Sequence, residues 1–195
     1  MSTPDTSTDP RTRILQTAET LFYRHGIRSI GVDRLIAESG VAKATFYRHF
    51  PSKDDLALAF IRGRDASWRD WLARTVARLA PEPRQRPLAI FDAIRERFED
   101  PEFRGCAFSN SIAEVAQGDS AVHQAAAEHK RAVTAMIADY LRGAGVSRTA
   151  QRDELARALM LLLDGAIVTA VREQSPAAAD AAKRIAATLL AARIS

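Results

Sequence analysis

The sequence has few of the residues that a catalytic or metal site requires. Its one cysteine, Cys106, cannot form an intramolecular disulfide, which fits a reducing compartment. The four histidines (residues 25, 49, 123 and 129) include no pair four residues apart, so no helix presents two of them to a metal ion. A glycine-rich phosphate loop, an HExxH motif and a nucleophile elbow are also missing. We therefore expect no enzyme, no catalytic residue, no cofactor and no metal site.

Long apolar runs and helix-breaking residues are scarce as well. The longest uninterrupted apolar run, residues 158–163, is far shorter than the roughly 20 residues of a membrane-spanning helix. The first ten residues are polar and contain no secretory signal. Only 9 glycines and 8 prolines occur, mostly between periodic stretches, whereas alanine, a strong helix former, is abundant. These features predict an all-α, cytoplasmic protein without a membrane span.

The spacing of apolar residues predicts about nine helices. After a flexible leader over residues 1–10, helices are expected near 11–25, 32–39, 43–50, 52–79, 87–99, 104–116, 121–142 and 149–173, and after Pro176. We expect the first three to form an N-terminal domain over residues 11–56, which continues into the long fourth helix. The remaining residues, 57–195, are expected to form a second helical domain.

Residues 31–53 have the pattern of a helix-turn-helix. Two short amphipathic segments meet at Gly40, which can adopt a left-handed turn without a Cβ clash. The segment after the turn, residues 43–50, combines cations and hydroxyls with Phe46 and Phe50, two aromatic residues typical of a core. Cations and hydroxyls on one short helix are suited to binding phosphates and base edges. The pattern predicts double-stranded DNA as a partner.

Positive charge is concentrated in the same part of the chain. Residues 11–53 contain eight Lys or Arg against three acidic residues, whereas residues 54–195 contain twenty against nineteen. The formal net charge of +4 is too small to indicate nucleic acid by itself, but its location in the first quarter is what a polyanion-binding surface requires. A module that only dimerised would not need these cations.

Many residues in this region also stand at fixed spacings. They are Ala18-x-x-Leu21-Phe22-x-x-x-Gly26, Val32, Ala37, Gly40-Val41, Lys43, Thr45-Phe46-Tyr47-x-His49-Phe50 and Lys53. In this pattern the chain resembles the TetR/AcrR family of bacterial transcriptional regulators. The resemblance covers about a third of the chain, and the rest matches the family only in the number and length of its helices. It implies a homodimer that binds a pseudo-palindromic operator and is released from it by a small hydrophobic effector.

The resemblance further implies roles for individual residues in DNA binding. Thr45, Tyr47 and His49 match positions that contact phosphate, and Lys53 begins the fourth helix, where its charge and the free N–H groups suit another phosphate. Two residues at the start of the recognition helix match positions that reach base edges, and two arginines are further candidates. The DNA-binding set is Lys43, Ala44, Thr45, Tyr47, Arg48, His49, Lys53 and Arg11. Arg48 could equally be a solvated charge.

Two residues depart from the family pattern. Gly31 stands where Ser or Thr usually caps the second helix, and glycine caps less well by a few tenths of a kcal/mol. Asp33 is acidic where some relatives have a base-contacting arginine. A direct base contact at this position is therefore expected only with a cytosine amino group.

The eighth predicted helix is apolar on nearly every side between residues 158 and 171. A single core-facing side does not account for this, so a second packing surface is expected. Together with the ninth helix it predicts a homodimer joined through a four-helix bundle. The interface set is Leu155, Leu159, Leu162, Leu163, Ile167, Ile185 and Leu189. The alternative is that both helices lie at the centre of a monomer core.

Aromatic and polar residues at helical spacing in helices four to seven predict an effector pocket. The candidates are Trp68, Trp71, Phe91, Phe108, Asn110, Glu114, His129 and Met136. Each aromatic could instead be ordinary core. Two alternatives for function stay open at this stage: an activator rather than a repressor, and a helical enzyme in which Glu114 and His129 form an acid–base pair.

Overall fold

The computed structural model describes residues 9–115 and 120–192, and all regular structure within those ranges is helical. The α-helices are α1 (Pro10–His25), α2 (Val32–Ser39), α3 (Lys43–His49), α4 (Lys53–Leu79), α5 (Arg86–Phe98), α6 (Ala107–Glu114), α7 (Ala121–Gly143), α8 (Thr149–Glu173) and α9 (Ala177–Ala191). A short 3-10 helix, Pro83–Gln85, precedes α5. The all-α prediction is confirmed. Residues 1–8 of the predicted leader, and the predicted end of the sixth helix at 116, lie outside the described residues.

Local chemistry sets several of the helix ends. Asp9 caps α1 by accepting a hydrogen bond from the Thr12 backbone N–H at 3.3 Å. Ser52 caps α4 in the same way, accepting from the Asp55 N–H at 3.0 Å while its hydroxyl donates to the Asp55 carboxylate at 2.6 Å. These two caps fix where α1 and the long α4 begin.

The turn between α2 and α3 has the conformation that the sequence predicts. Gly40 ends α2 with φ 63° and ψ 31°, in the left-handed region that favours glycine. At its other end α2 is preceded by Gly31, at the N-cap position, which offers no side-chain hydrogen bond to the first turn. The reduced capping expected at Gly31 is therefore present in the structure.

The described residues divide into two compact units. Unit 1 contains those up to Asp65 together with those from Ala107 to Glu128, and unit 2 contains Ala66–Cys106 together with those from His129 onward. Sequence analysis expected a boundary after residue 56 and no return of the chain to the first domain. The structure instead groups α6 and the start of α7 with α1–α3, because long-range contacts that a linear pattern does not record bind α6 there.

Unit 1 is built on aromatic and aliphatic side chains from α1, α2, α3 and α4. Phe22 and Phe60 meet edge to face, with ring centroids 5.7 Å apart. Ile14, Leu35 and Phe46 are completely buried. These contacts pack the helix-turn-helix segment against α1 and α4. The outer side of α3 does not take part in this packing.

Unit 2 has a larger apolar core, to which α4, α5, α7, α8 and α9 contribute. Phe91, Ile137, Leu141 and Leu159 are among its fully buried side chains. Ion pairs border this core: Lys183 of α9 bonds both carboxylate oxygens of Asp92 at 2.7 Å, and Lys130 pairs with Asp164. Among the helices of the described ranges, none is both long enough and apolar enough to span a membrane.

Candidate nucleic-acid interface

Helix α3 has one buried side and one exposed side. Phe46 is completely buried and Phe50 nearly so, as the sequence predicts for them. The Tyr47 side chain is 41% exposed although its ring meets the edge of Phe46, with the centroids 5.4 Å apart. A tyrosine exposed in this way can donate a hydrogen bond from its hydroxyl to a partner. The exposed side of α3 is therefore a candidate contact surface.

The predicted DNA-contacting residues of α3 share this open side. Lys43, Ala44 and Arg48 are exposed, and Thr45 and His49 are partly exposed. The two turns of α3 thus present an ammonium, hydroxyls, an imidazole and a guanidinium to solvent. These groups can all donate hydrogen bonds to phosphate oxygens, and Lys43 is the first residue of α3.

Two predicted residues outside α3 are held near it by specific contacts. The Arg11 guanidinium lies over the Phe50 ring, 5.3 Å from its centroid, which brings the start of α1 to the end of α3. Lys53 opens α4, and its Nζ donates to the Arg28 carbonyl at 3.5 Å. Both cations therefore belong to the same unit as α3 and extend the positive surface beyond it.

On α2, two acidic residues outnumber one basic residue. Arg34 and Glu38 form an exposed ion pair at 2.7 Å, one turn apart. Asp33 is exposed in the first turn of α2, where a carboxylate favours the helix dipole but repels phosphate. The cationic part of unit 1 is accordingly centred on α3 and its neighbours rather than on α2.

Glu114 occupies a place that the sequence did not predict. Its carboxylate accepts the backbone N–H of Arg28 at 2.8 Å, in the loop between α1 and α2. His129, the other member of the predicted acid–base pair, belongs to unit 2, where its ring packs edge to face against Trp68 with 5.2 Å between centroids. A contact 86 residues apart in sequence has no local signal, which is why sequence reasoning missed it.

The predicted effector residues are divided between the two units. Trp68, Trp71 and His129 form one aromatic cluster in unit 2, with 6.0 Å between the centroids of the tryptophans. In the same unit Phe91 is buried in the core and Met136 packs partly buried against it. Phe108, Asn110 and Glu114 belong to unit 1, where Phe108 is buried and Asn110 exposed.

Unit 2 also contains a cavity that none of the predicted effector residues lines. It has a volume of about 430 Å³ and is bounded by residues at the end of α5, in the α5–α6 loop and at the end of α8. Its lining is Phe98, Asp100, Pro101, Phe103, Arg104, Ala170, Val171 and Gln174. The rings of Phe98 and Phe103 lie 4.9 Å apart on one wall. The spacing of apolar residues along the chain gives no reason to join Phe98 with α8.

The predicted dimer residues fall into two groups. Leu155, Leu159, Leu163 and Ile167 are buried in the core of their own chain, so their side chains are taken up by intrachain packing. Leu162 and Leu189 are partly buried, and Ile185 is 51% exposed. The structure exposes instead three α8 residues that the prediction omitted, Leu161 at 74%, Val168 at 63% and Val171 at 46%. On a helix that is apolar all round, sequence alone does not tell which side packs inward.

Comparison with known proteins adds independent observations. Residues 14–60 match the family model described as bacterial regulatory proteins, tetR family, and residues 83–192 match the model for the C-terminal domain of LmrA/YxaF-like transcriptional regulators. The transcriptional repressor NemR of Escherichia coli is 26% identical over 137 residues, which are 70% of this chain and 69% of NemR. The transcriptional regulator TcmR of Streptomyces glaucescens is 29% identical over 68% of this chain and 52% of its own length.

Solved structures agree with these matches. A TetR-family transcriptional regulator from Streptomyces coelicolor superposes with a TM-score of 0.85 and 31% sequence identity, over 96% of this chain and 91% of that one. The proteins to which this chain is similar are regulators of transcription. The helical enzyme is therefore no longer an alternative for its function. The chain, with a helix-turn-helix in unit 1 and a family match that extends over most of its length, belongs to the TetR family of bacterial transcriptional regulators.

Proposed function

We propose that this regulator is a repressor that binds a pseudo-palindromic DNA operator as a homodimer and is released from it by a small apolar effector. The observation that carries the proposal is the two-sided character of α3. Phe46 and Phe50 anchor the helix, while Lys43, Tyr47 and Arg48 are left exposed on its other side. This arrangement matches a recognition helix, which must be rigid on one side and polar on the other.

Within this proposal the exposed residues have different tasks. Thr45, Tyr47 and His49 donate to phosphate oxygens and set the position of the helix in the major groove. Lys43 and Ala44, at the first turn of α3, reach base edges, where lysine donates to guanine and the alanine methyl contacts a thymine methyl. The remaining cations, Arg11, Arg48 and Lys53, add phosphate contacts around them.

The homodimer is supported by the exposed apolar residues of α8 and α9. Leu161 and Val168 lie seven residues apart on α8, two helical turns, and Ile185 is exposed on α9. Between them stands Gly165, where an added Cβ would meet nothing within 4 Å, so the α8 backbone itself is open to a close neighbour. Two such helices from each chain form a four-helix bundle, and a two-fold dimer would read a two-fold operator.

An effector site in unit 2 is supported by the aromatic cluster of Trp68, Trp71 and His129. Aromatic walls with one buried polar ring are typical of sites for small apolar molecules. Repression is supported by NemR, a relative that is named a transcriptional repressor. Release follows if the effector binds the DNA-free conformation better than the DNA-bound one.

The test begins with selection of bound duplexes from a random DNA pool. The selected duplex, labelled with fluorescein, is then titrated with protein at fixed salt, and its anisotropy is measured for the natural chain and for Tyr47→Ala. We expect two half-sites in inverted repeat and a clear loss of affinity in the variant. If no sequence is selected, or if both proteins bind the duplex with equal affinity, the proposal that α3 recognises DNA is wrong. A transcription assay with the same operator separates repression from activation.

A further inference from the structure

The backbone of Arg28, between α1 and α2, is held from two sides. Its N–H donates to Oε2 of Glu114, the last residue of α6, at 2.8 Å. Its carbonyl accepts from Nζ of Lys53, the first residue of α4, at 3.5 Å. One residue of the loop therefore joins an acceptor on α6 to a cation that the proposed function assigns to a DNA phosphate.

Gly26 makes room for this arrangement. It ends α1 with φ 84°, a backbone conformation that side chains disfavour. A Cβ at this position would also lie 2.6 Å from Oε1 of Glu114 and 3.1 Å from Oε2. The glycine is thus required both by its own dihedral angle and by the close approach of the carboxylate.

Terms of both signs contribute to the electrostatic surroundings of Glu114. The C-terminal end of a helix carries partial negative charge, so a carboxylate beside the end of α1 is disfavoured by the helix dipole. The excess of basic over acidic residues in residues 11–53, in the same unit, favours a carboxylate. The specific contact of Glu114 is the hydrogen bond from the Arg28 N–H, which fixes the backbone of the loop.

We propose that Glu114 is a positioning residue for DNA binding, and this inference rests on the proposed function of Lys53. By fixing the Arg28 backbone, Glu114 fixes the carbonyl that holds the Lys53 ammonium at the start of α4. An ammonium has three N–H donors, so one remains on Arg28 while the others meet a phosphate oxygen. A cation ordered before binding loses less side-chain freedom when DNA arrives.

The sign of the effect distinguishes positioning from simple charge. If Glu114 acted only as a negative charge, its neutralisation would strengthen DNA binding. If it positions Lys53, its removal weakens DNA binding, and Glu114→Gln, which keeps an oxygen acceptor for Arg28, retains more affinity than Glu114→Ala. Glu128, an exposed carboxylate on α7 in the same unit, gives the matched control for charge.

The experiment measures anisotropy of the selected duplex, at fixed salt, with Glu114→Ala, Glu114→Gln, Glu128→Gln, Lys53→Ala and the double variant Glu114→Ala/Lys53→Ala. We expect Glu114→Ala to bind about fivefold more weakly, the loss that goes with one hydrogen bond. Glu114→Gln should fall between it and the natural chain, and Glu128→Gln should bind as well or better. The double variant should bind no more weakly than Lys53→Ala alone, since both changes remove the same contact.

Several results would overturn the inference. If Glu114→Ala binds DNA as tightly as the natural chain or more tightly, Glu114 acts only as a negative charge. If the losses of affinity add in the double variant, Glu114 contributes to the general stability of the fold and does not position Lys53. Circular dichroism checks the fold of each variant; if Glu114→Ala unfolds, the same cycle with Glu114→Gln decides. A Lys53→Ala variant with natural affinity and salt dependence removes this inference but leaves α3 recognition standing. If the natural chain selects no duplex, the proposed function itself fails.

Discussion

Helix α3 of unit 1 and helix α8 of unit 2 differ in what they expose rather than in what they bury. Each has an apolar side packed within its unit, through Phe46 in one case and Leu159 in the other. The exposed side of α3 carries cations, hydroxyls and Tyr47, whereas the exposed side of α8 carries Leu161 and Val168. The buried residues therefore reflect the helical fold that both units share, whereas the exposed residues indicate what kind of partner each helix suits.

The distribution of charge follows the same division. The segment of residues 11–53 has eight basic against three acidic residues, whereas the rest of the chain beyond it is nearly balanced. A polyanion is attracted by such an excess over distances near the Debye length, about 10 Å at moderate salt. Apolar surface has no comparable range and acts only on contact. The two units are accordingly suited to DNA and to a second copy of the chain, respectively.

The largest expected effect is on the free energy of unfolding, when a buried residue and an exposed residue of α3 are replaced in turn. Phe46→Ala should lower the free energy of unfolding by about 3–5 kcal/mol, because a fully buried aromatic leaves a cavity. Arg48→Ala, two residues further on and exposed, should change it by less than about 0.5 kcal/mol. Urea unfolding followed by circular dichroism measures both. Equal changes in the two variants would contradict the assignment of buried and exposed sides.

The next effect concerns the exposed side of α8. Replacing Leu161 and Val168 together by Asp should convert the proposed dimer to monomers, because two charges would be buried in an apolar interface without partners. DNA affinity should then fall by about a hundredfold, since the second half-site no longer benefits from a linked partner. Light scattering after gel filtration gives the mass, and anisotropy gives the affinity.

Ala135→Asp is the matched control for this pair. Ala135 is exposed on α7 in the same unit, so the new charge stays in solvent and both mass and affinity should match the natural chain. A double Asp variant of α8 that still has the dimer mass would place the contact surface elsewhere.

A smaller effect separates two kinds of DNA contact on α3. Lys43→Ala should reduce discrimination between the selected duplex and one altered at a single position by about 1–3 kcal/mol, the range of a base-edge contact. Tyr47→Ala should weaken binding to both duplexes equally, by about tenfold, because phosphate contacts carry no sequence information. Competition titrations with the two duplexes measure both quantities. Lys43→Ala with full discrimination would assign Lys43 to phosphate instead.

Sequence predicted those features that depend on neighbours along the chain. Gly40 was identified from its place between two amphipathic segments, and Phe46 and Phe50 were identified as core residues among the cations and hydroxyls of the segment that follows. In each case the deciding contacts lie within about one helical turn, so local physics is sufficient. The positions of α1 to α9 follow from the same kind of signal.

Sequence failed where distant segments decide. Glu114 meets Arg28 across 86 residues, and the cavity wall that contains Phe98 and Phe103 meets Ala170 of α8. The exposure of Leu161 was not predicted for the same reason: which side of α8 packs on α5 and α9 is set by the whole of unit 2. An apolar pattern indicates that a residue is buried, but only the packed structure shows which residues it contacts.

The smallest effect concerns the start of α2, where unit 1 departs from its family pattern. Gly31 has extended dihedral angles, φ −79° and ψ 156°, makes no capping bond, and a Cβ added there would meet nothing within 4 Å. Serine therefore fits without strain, and its hydroxyl can accept an N–H of the first turn. Gly31→Ser should raise the free energy of unfolding by about 0.5 kcal/mol, partly from the cap and partly from a less flexible unfolded chain.

Gly31→Ala separates the contribution of the cap from that of the unfolded chain, since it restricts the unfolded chain equally but supplies no cap. If urea unfolding finds Gly31→Ala as stable as Gly31→Ser, the missing cap has no energetic consequence, and glycine at this position reflects something other than the stability of α2.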